Sequence, residues 1–282
     1  MTSIWYHLAG RLGNQLFQLA QAHQLVDFYD RPVKFFTDRI HGDLNYDFNA
    51  VEKLPSLKVS GVFQSMWRGR VLQYSDRLHS KDLDKFQSFN RHLNILRSMQ
   101  AFEIPNLPSR APSLVTGFCI NSRVLQGSGI FVSLLEEYLD FIATGRFWEK
   151  FNDYQVIHIR GTDLKNSVYG SLSSNFYNAF ELADMPIFVL TDDLAHAKVL
   201  TQKLDVHKFL SPYEINPWEA ISIMRNSKRL FASNSTLAWW GAYMSLKNKN
   251  EVFLPQPFYK GNSSLQDYLH LDGFNYLKSN FD

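Results

Sequence analysis

The chain has 282 residues, enough for one large domain or for two lobes of about 140 residues each. Hydrophobic residues make up 45% of the sequence and charged residues 20%, which excludes a disordered or a low-complexity protein. The net charge of +2 comes from acids and bases that are mixed along the chain, so the sequence carries neither a nucleic-acid-binding stripe nor a polybasic membrane patch.

Apolar periodicity in the first half predicts the opening of an α/β unit. Strands are predicted at Ile4–Leu8, Pro32–Phe36 and Val115–Ile120, and helices at Leu16–Leu25 and Phe131–Phe141. The segment from Leu54 to Ser113 shows only charged, partly helical stretches such as Ser80–Arg97. The only cysteine, Cys119, lies in the third predicted strand, so we expect a buried structural thiol and no disulfide.

The second half alternates more regularly between the two kinds of element. Strands are predicted at Tyr154–Arg160, Pro186–Leu190, His207–Leu210, Arg229–Ala232 and Glu251–Leu254. Helices are predicted at Thr144–Asn152, Ser173–Ala183, Leu194–Leu204, Trp218–Arg225 and Ser235–Ser245. This alternation favours parallel sheets covered on both faces. We therefore predict two lobes, residues 1–150 and 151–282, with a ligand in the cleft between them.

The amino-terminal residues Met1–Leu8 lack the basic start and the long apolar core of a secretory signal. No apolar run approaches the roughly 20 residues that span a bilayer. A single cysteine also fits a reducing compartment. We expect a cytoplasmic protein with no transmembrane segment, and peripheral association with a membrane stays open.

The first polar cluster, Gly10-Arg11-Leu12-Gly13-Asn14-Gln15, precedes the first predicted helix. Glycines let the backbone approach a ligand, and the free N–H groups of a helix start attract phosphate. The cluster lacks the third glycine of a dinucleotide fingerprint and the Gly-Lys-Ser/Thr of a Walker loop. The alternative is a plain turn in which Asn14 caps the helix.

The second and third clusters follow strands in the second half, at His158–Asp163 and at Thr191-Asp192-Asp193. An arginine at a strand end, here Arg160, binds phosphate through two charge-assisted hydrogen bonds, and the alternative is a surface arginine that pairs with Asp163. The two acids are adjacent rather than spaced Asp-x-Asp, so we expect contacts to a ribose or a base rather than a metal site. Their alternative role is to cap a helix.

The fourth cluster runs from Ser233 to Gly241 and opens the helix that is predicted at Ser235–Ser245. Small hydroxyl residues together with the free amides of a helix start form an anion site, and ordinary capping is the alternative. For Trp239 and Trp240 we expect packing in the core rather than stacking on a sugar.

Taken in chain order, these clusters carry a family resemblance. The segments Gly10-x-x-Gly13-Asn14-Gln15-x-Phe17-Gln18, His158-x-Arg160-x-x-Asp163, Thr191-Asp192-Asp193 and Asn234-Ser235-x-x-x-Trp239-Trp240-Gly241-Ala242 resemble the motifs of the alpha-1,2-fucosyltransferase family. The resemblance implies an α/β fold of the GT-B type, with two Rossmann-like lobes, parallel sheets and a cleft between them. It also implies GDP-fucose as the donor, a glycan acceptor such as galactose O-2, inversion at the fucose anomeric carbon, and no metal or other cofactor.

The resemblance also implies roles for individual residues. Arg160 would hold the donor diphosphate. The resemblance does not identify the catalytic base; Asp163 is the nearest candidate by sequence, and its alternative role is to orient Arg160. The implied donor-binding residues are Gly13, Asn14, Gln15, His158, Arg160, Asp192, Asp193, Asn234, Ser235 and Thr236.

One position departs from the family pattern, which usually has two successive arginines after His-x. Here Gly161 occupies the position of the second arginine. This single-arginine motif resembles that of a wider group of GDP-fucose enzymes, which includes alpha-1,6 and protein O-fucosyltransferases. The departure leaves the linkage open. It also favours an alternative of a different class, a non-catalytic nucleotide- or carbohydrate-binding protein.

Overall fold

The structure is a computed structural model that describes residues 4–8, 10–31, 33–37, 57–59, 95–97, 106–117, 119–151, 153–162, 164, 169–261 and 266–281. The chain divides into two compact units, Met1–Leu134 and Leu135–Asp282. This division falls within a helix, Gly129–Ala143, whereas the sequence pattern places the lobe boundary at residue 150.

The first unit contains a parallel five-stranded sheet in the order β3-β2-β1-β5-β4. Its strands are β1 (Ile4–Leu8), β2 (Val33–Thr37), β3 (Leu57–Val59), β4 (Ile95–Arg97) and β5 (Leu114–Thr116). Helix α1 (Leu12–Tyr29) follows β1, and helix α2 (Gly129–Ala143) follows a short 3₁₀ turn at Ser122–Leu125. The predicted strands at β1 and β2 and both predicted helices are confirmed.

Two expectations in the first unit are wrong in part. Residues Ile95–Arg97 form a strand, where a helical stretch is predicted, and residues 80–94 lie outside the described part of the chain. Strand β5 ends at Thr116 rather than at residue 120, because Gly117 and Cys119 have positive φ angles of 132° and 51° that turn the chain out of extended geometry. The Cys119 thiol is buried, as expected, and donates to Gln21 Oε1 at 2.9 Å.

The second unit contains a parallel six-stranded sheet in the order β11-β10-β9-β6-β7-β8. Its strands are β6 (Gln155–Ile159), β7 (Ile187–Thr191), β8 (Lys208–Leu210), β9 (Arg229–Phe231), β10 (Glu251–Gln256) and β11 (Asn275–Lys278). Its helices are α3 (Ser174–Asn178), α4 (Leu194–Leu200), α5 (Pro217–Asn226), α6 (Thr236–Lys247) and α7 (Gln266–Leu269). The central strands β6 and β7 are buried along their whole length, as expected for a sheet covered on both faces.

Three predicted helices are shorter than their patterns indicate. Only a 3₁₀ turn, Phe147–Lys150, forms within 144–152, and α4 ends at Leu200. Helix α3 ends at Asn178 rather than at residue 183, and the backbone of Ala183 instead bonds to the Gln155 side chain. Its Nε2 donates to the Ala183 carbonyl at 2.8 Å, and its Oε1 accepts from the Ala183 N–H at 3.3 Å.

The two tryptophans of the last motif belong to the core of the second unit. Trp239 and Trp240 are both fully buried, and Trp239 Nε1 donates to the carbonyl of Leu269 at 2.9 Å. Packing, rather than stacking on a sugar, is therefore confirmed for both rings. Across the described residues, no helix combines the length and the apolar character needed to cross a membrane.

Candidate functional site

The register of the second sheet brings three polar strand ends to one level. Ile157 of β6 pairs with Val189 of β7 and with Phe231 of β9. Three residues beyond these paired positions stand Arg160, Asp192 and Asn234, which we call the polar row. Ligands of open parallel sheets bind beyond the carboxyl ends of the strands, so the polar row lies where a ligand is expected.

Arg160 and Asp192 form the ion pair at the centre of the polar row. Arg160 Nη1 lies 2.9 Å from Asp192 Oδ2, and the two side chains are only 15% and 13% exposed. Asp192 also accepts hydrogen bonds from the Gly161 N–H at 2.7 Å and from the Thr162 hydroxyl at 2.6 Å. Arg160 thus pairs with a carboxylate on the neighbouring strand, which the sequence pattern does not reveal.

These contacts set the charge of the Asp192 carboxyl group. Burial disfavours its ionisation, but the Arg160 guanidinium, the Thr162 hydroxyl and the Gly161 N–H outweigh burial and lower the pKa of Asp192. Asp192 is therefore a carboxylate at neutral pH, and its negative charge fixes the guanidinium at the end of β6.

His158, on β6, contacts the loop that follows β9. Its Nδ1 lies 2.8 Å from Ser233 Oγ, and both side chains are buried. Burial lowers the pKa of His158 to about 4, with a further lowering by Arg160 and an opposing effect of Asp192. The imidazole is thus neutral at pH 7 and takes part through hydrogen bonding rather than through charge.

Asp193 has a different set of contacts from its neighbour Asp192. Its Oδ1 accepts from the His196 N–H at 3.0 Å and caps the start of α4, and its own N–H donates to Thr191 Oγ1 at 3.0 Å. The helix-cap alternative is therefore confirmed for Asp193 and not for Asp192. The two adjacent acids hold two different elements, a helix start and an arginine.

The third member of the polar row, Asn234, is buried beside the start of α6. Its Nδ2 donates to the Gly170 carbonyl at 2.9 Å, which fixes the orientation of the amide. Ser235 occupies the N-cap position of α6, but its side chain makes no cap hydrogen bond to the described first turn. The Ser235 side chain therefore does not fill the capping role that a hydroxyl at this position usually has.

The first polar cluster lies in the first unit, Met1–Leu134. Gly10 has a φ angle of 76°, and α1 begins two residues later with Arg11 at the N-cap position. Asn14 lies inside the first turn, so it does not cap the helix. Gln15 Nε2 donates to the Gly10 carbonyl at 2.9 Å and holds the turn closed. Gly13 is buried and lies in the same first turn.

The structure thus brings together six of the predicted residues at the carboxyl edge of the second sheet. They are His158, Arg160, Asp192, Asn234, Ser235 and Thr236. Asp163, the predicted catalytic base, lies outside the described residues. Ser233 and Thr162 also belong to this site, although the donor-binding residues implied by the motifs do not include them. Their signal in the sequence is a hydroxyl within the polar clusters that follow β9 and β6. Within the described ranges, no three His, Cys, Asp or Glu side chains are grouped as ligands of a metal ion.

Comparison with solved structures identifies the fold. A glycosyl transferase of family 9 from Veillonella parvula has 10% sequence identity and a TM-score of 0.51, over 98% of this chain and 87% of that one. The E. coli heptosyltransferase WaaC with ADP has 8% identity and a TM-score of 0.51, over 98% and 93%. The fucosyltransferase NodZ from Bradyrhizobium has 12% identity and a TM-score of 0.49, over 86% and 94%. No protein-family profile and no curated protein sequence matches the chain.

The first two similarities show a shared fold, the α/β architecture of GT-B glycosyltransferases with parallel sheets. The predicted fold class is therefore confirmed. Membership of the alpha-1,2-fucosyltransferase family stays a prediction.

Proposed function

We propose that this chain is a glycosyltransferase that moves a sugar from a nucleoside diphosphate donor to a hydroxyl group of a glycan acceptor. The observation that supports this function best is the Arg160–Asp192 ion pair at the same sheet edge as the start of α6. A fixed guanidinium and the N–H groups of a helix start are both suited to binding phosphate.

The chemistry of transfer fits these groups. The bond between the sugar C1 and the β-phosphate oxygen breaks while a bond forms from C1 to the acceptor oxygen, and the hydroxyl proton passes to a base. Negative charge grows on the departing diphosphate, and a preplaced guanidinium lowers the barrier. Asp192 acts on this step as a positioning residue, because its carboxylate holds Arg160 in place. Asp163 is our candidate for the base.

The finer assignment rests on the sequence motifs. Their order resembles that of alpha-1,2-fucosyltransferases, so we propose GDP-fucose as the donor, inversion at its anomeric carbon, and galactose O-2 as the acceptor position. We also propose that no metal is needed, since Arg160 and the first turn of α6 supply positive charge and N–H donors for the diphosphate. On this proposal His158 and either Asp192 or Asp193 are near the guanine nucleoside.

The donor class is tested by calorimetric titration with GDP, UDP and ADP in the presence of EDTA. We expect micromolar binding of GDP, much weaker binding of UDP and ADP, and loss of GDP binding in Arg160→Ala. ADP is included because one structure with the same fold, the heptosyltransferase WaaC, was solved with ADP. Arg146→Ala, which removes a half-exposed arginine elsewhere in the same unit, is the matched control.

Preference for ADP or UDP contradicts GDP-fucose as the donor but is consistent with a transferase that uses another nucleotide sugar. The absence of any nucleotide binding contradicts the proposed function itself. If GDP binds, transfer of fucose to galactose-terminated glycans is measured next. We expect Arg160→Ala to lower kcat/KM by more than about a hundredfold, equivalent to about 3 kcal/mol of lost charge stabilisation.

A further inference from the structure

Exposed apolar side chains of the second unit concentrate at the edge of the sheet that carries the polar row. Among its described residues, five large apolar side chains are exposed: Phe141, Tyr169, Leu194, Val199 and Tyr213. Three of the five, Tyr169, Leu194 and Tyr213, lie in the segments that directly follow β6, β7 and β8. Apolar groups exposed together beside a polar site are typical of a ligand-binding surface.

Tyr213 is the most exposed of these side chains, with 100% of its surface accessible. Its exposure does not come from a loose backbone, because the turn around it is held by its own contacts. The Glu214 N–H donates to the Ser211 carbonyl at 2.9 Å, and Glu214 Oε2 accepts from the Ser211 N–H at 3.1 Å. Pro212 further restricts the turn. The ring is therefore presented to solvent from a fixed base.

The register places this turn at the same sheet edge as the polar row. Val189 of β7 pairs with Phe209 of β8 as well as with Ile157 of β6. The last pair between β7 and β8 is Leu190 with Leu210, so the turn that holds Pro212 and Tyr213 begins at the same sheet edge as Asp192. Neighbouring strands are about 4.8 Å apart, so β8 lies about 10 Å from β6. This distance is comparable with the reach of a nucleoside diphosphate from its base to its outer phosphate.

We infer that the Tyr213 ring stacks on the base of the donor nucleotide whose diphosphate is held at Arg160. This inference rests on the proposed function, since it requires a nucleotide donor. Leu194, 40% exposed at the first position of α4, follows β7, which lies between β6 and β8, and on this inference it provides apolar contact to the nucleoside. Stacking on an aromatic ring accepts any base, so Tyr213 contributes affinity while the choice of base is made by other groups.

The test compares a ligand that has a base with one that lacks it. Binding of GDP and of inorganic pyrophosphate is measured by calorimetry for the unchanged chain, Tyr213→Ala and Tyr213→Phe. We expect Tyr213→Ala to weaken GDP binding about tenfold or more and to leave pyrophosphate binding unchanged. Tyr213→Phe, which keeps the ring, should bind GDP within about twofold of the unchanged chain. Phe141→Ala, which removes an exposed ring on α2, is the matched control.

The outcomes separate the two hypotheses. If the unchanged chain binds GDP and Tyr213→Ala binds it equally well, the stacking role is overturned and the proposed function stands. An equal loss of GDP and pyrophosphate binding in Tyr213→Ala also overturns the stacking role, because it indicates a general disturbance of the site. If the unchanged chain binds no nucleotide, the proposed function fails and the stacking role fails with it.

Discussion

Gly161 stands where the resembled family has a second arginine, and its surroundings explain the difference. A Cβ atom at this position would lie 2.8 Å from Asp193 Cβ and 3.2 Å from His196 Cδ2. Asp193 Cβ has little freedom to move, because the Asp193 side chain caps α4. The glycine is therefore required by packing against the start of α4, so it no longer favours a non-catalytic protein.

The steric role of Gly161 leads to a stability prediction. Gly161→Ala should lower the free energy of unfolding by about 1–3 kcal/mol, the usual cost of an overpacked position. The measurement is urea unfolding followed by circular dichroism. Gly129→Ala is the control, since a Cβ there meets no atom within 4 Å, and we expect a change within about 0.5 kcal/mol. Equal stability of the two variants would show that the start of α4 is not tightly packed on residue 161.

At the scale of elements, the contact between α5 and α6 explains the glycine of the Trp-Trp-Gly-Ala motif. A Cβ on Gly241 would lie 2.6 Å from Met224 Cε and 2.8 Å from Met224 Cβ. Glycine thus lets the two helices approach closely, and the neighbouring Trp239 and Trp240 are buried rings on the same helix. The position of α6, and with it the first turn at Ser235, depends on this contact.

Substitution of Gly241 should therefore affect both stability and ligand binding. We expect Gly241→Ala to lower the free energy of unfolding by about 1–3 kcal/mol through overpacking, and to weaken GDP binding because the first turn of α6 shifts. A double-mutant cycle with Met224→Ala identifies the contact. The loss of unfolding free energy caused by Gly241→Ala should be smaller by about 1 kcal/mol or more when Met224 is truncated to alanine. A cost that is the same in both backgrounds would place the clash elsewhere.

At the scale of the whole molecule, the buried imidazole of His158 links folding to pH. In the folded chain burial lowers its pKa to about 4, while an unfolded chain has the ordinary histidine value of about 6.5. Between these two values the unfolded chain binds a proton that the folded chain does not. Stability is therefore complete above about pH 6.5 and falls as the pH drops towards 4.

We expect His158 to account for up to about 3 kcal/mol of stability lost between pH 6.5 and pH 4. Urea unfolding across this range should show a smaller loss for His158→Gln than for the unchanged chain. His270→Gln, which removes a half-exposed histidine, should keep the full loss. Asp192 does not contribute to the loss of stability in this pH range. Its pKa lies below the ordinary carboxyl value, so its contribution to stability is lost only at lower pH. Parallel curves for His158→Gln and the unchanged chain would refute the assignment.

The similarity to GT-B glycosyltransferases is also a property of the whole molecule. It extends over 98% of this chain at 8–10% identity, so it rests on the arrangement of strands and helices rather than on matching residues. A shared fold of this kind hosts many donors and acceptors, which is why the proposed donor depends on the motifs and on binding experiments.

The sequence by itself determined the features that depend on local patterns. Apolar runs bounded by glycine, proline and polar residues predict the central strands β6 and β7 and the helices α5 and α6 within two residues at each end. The polar clusters at strand ends, and the burial of Cys119, Trp239 and Trp240, follow from the same patterns. These features are legible because an element and its buried face are encoded by residues that are near one another in the chain.

Only the tertiary structure decided which strand ends meet. The order β9-β6-β7 brings Ser233 to His158 and Asp192 to Arg160, although the two residues of each pair are more than 30 positions apart in the sequence. The backbone of Ala183, at the predicted end of α3, likewise bonds to Gln155, a side chain that is distant in sequence. Such partners are determined by how the elements pack together, and that packing depends on the free energy of the whole fold. No local sequence pattern carries this information.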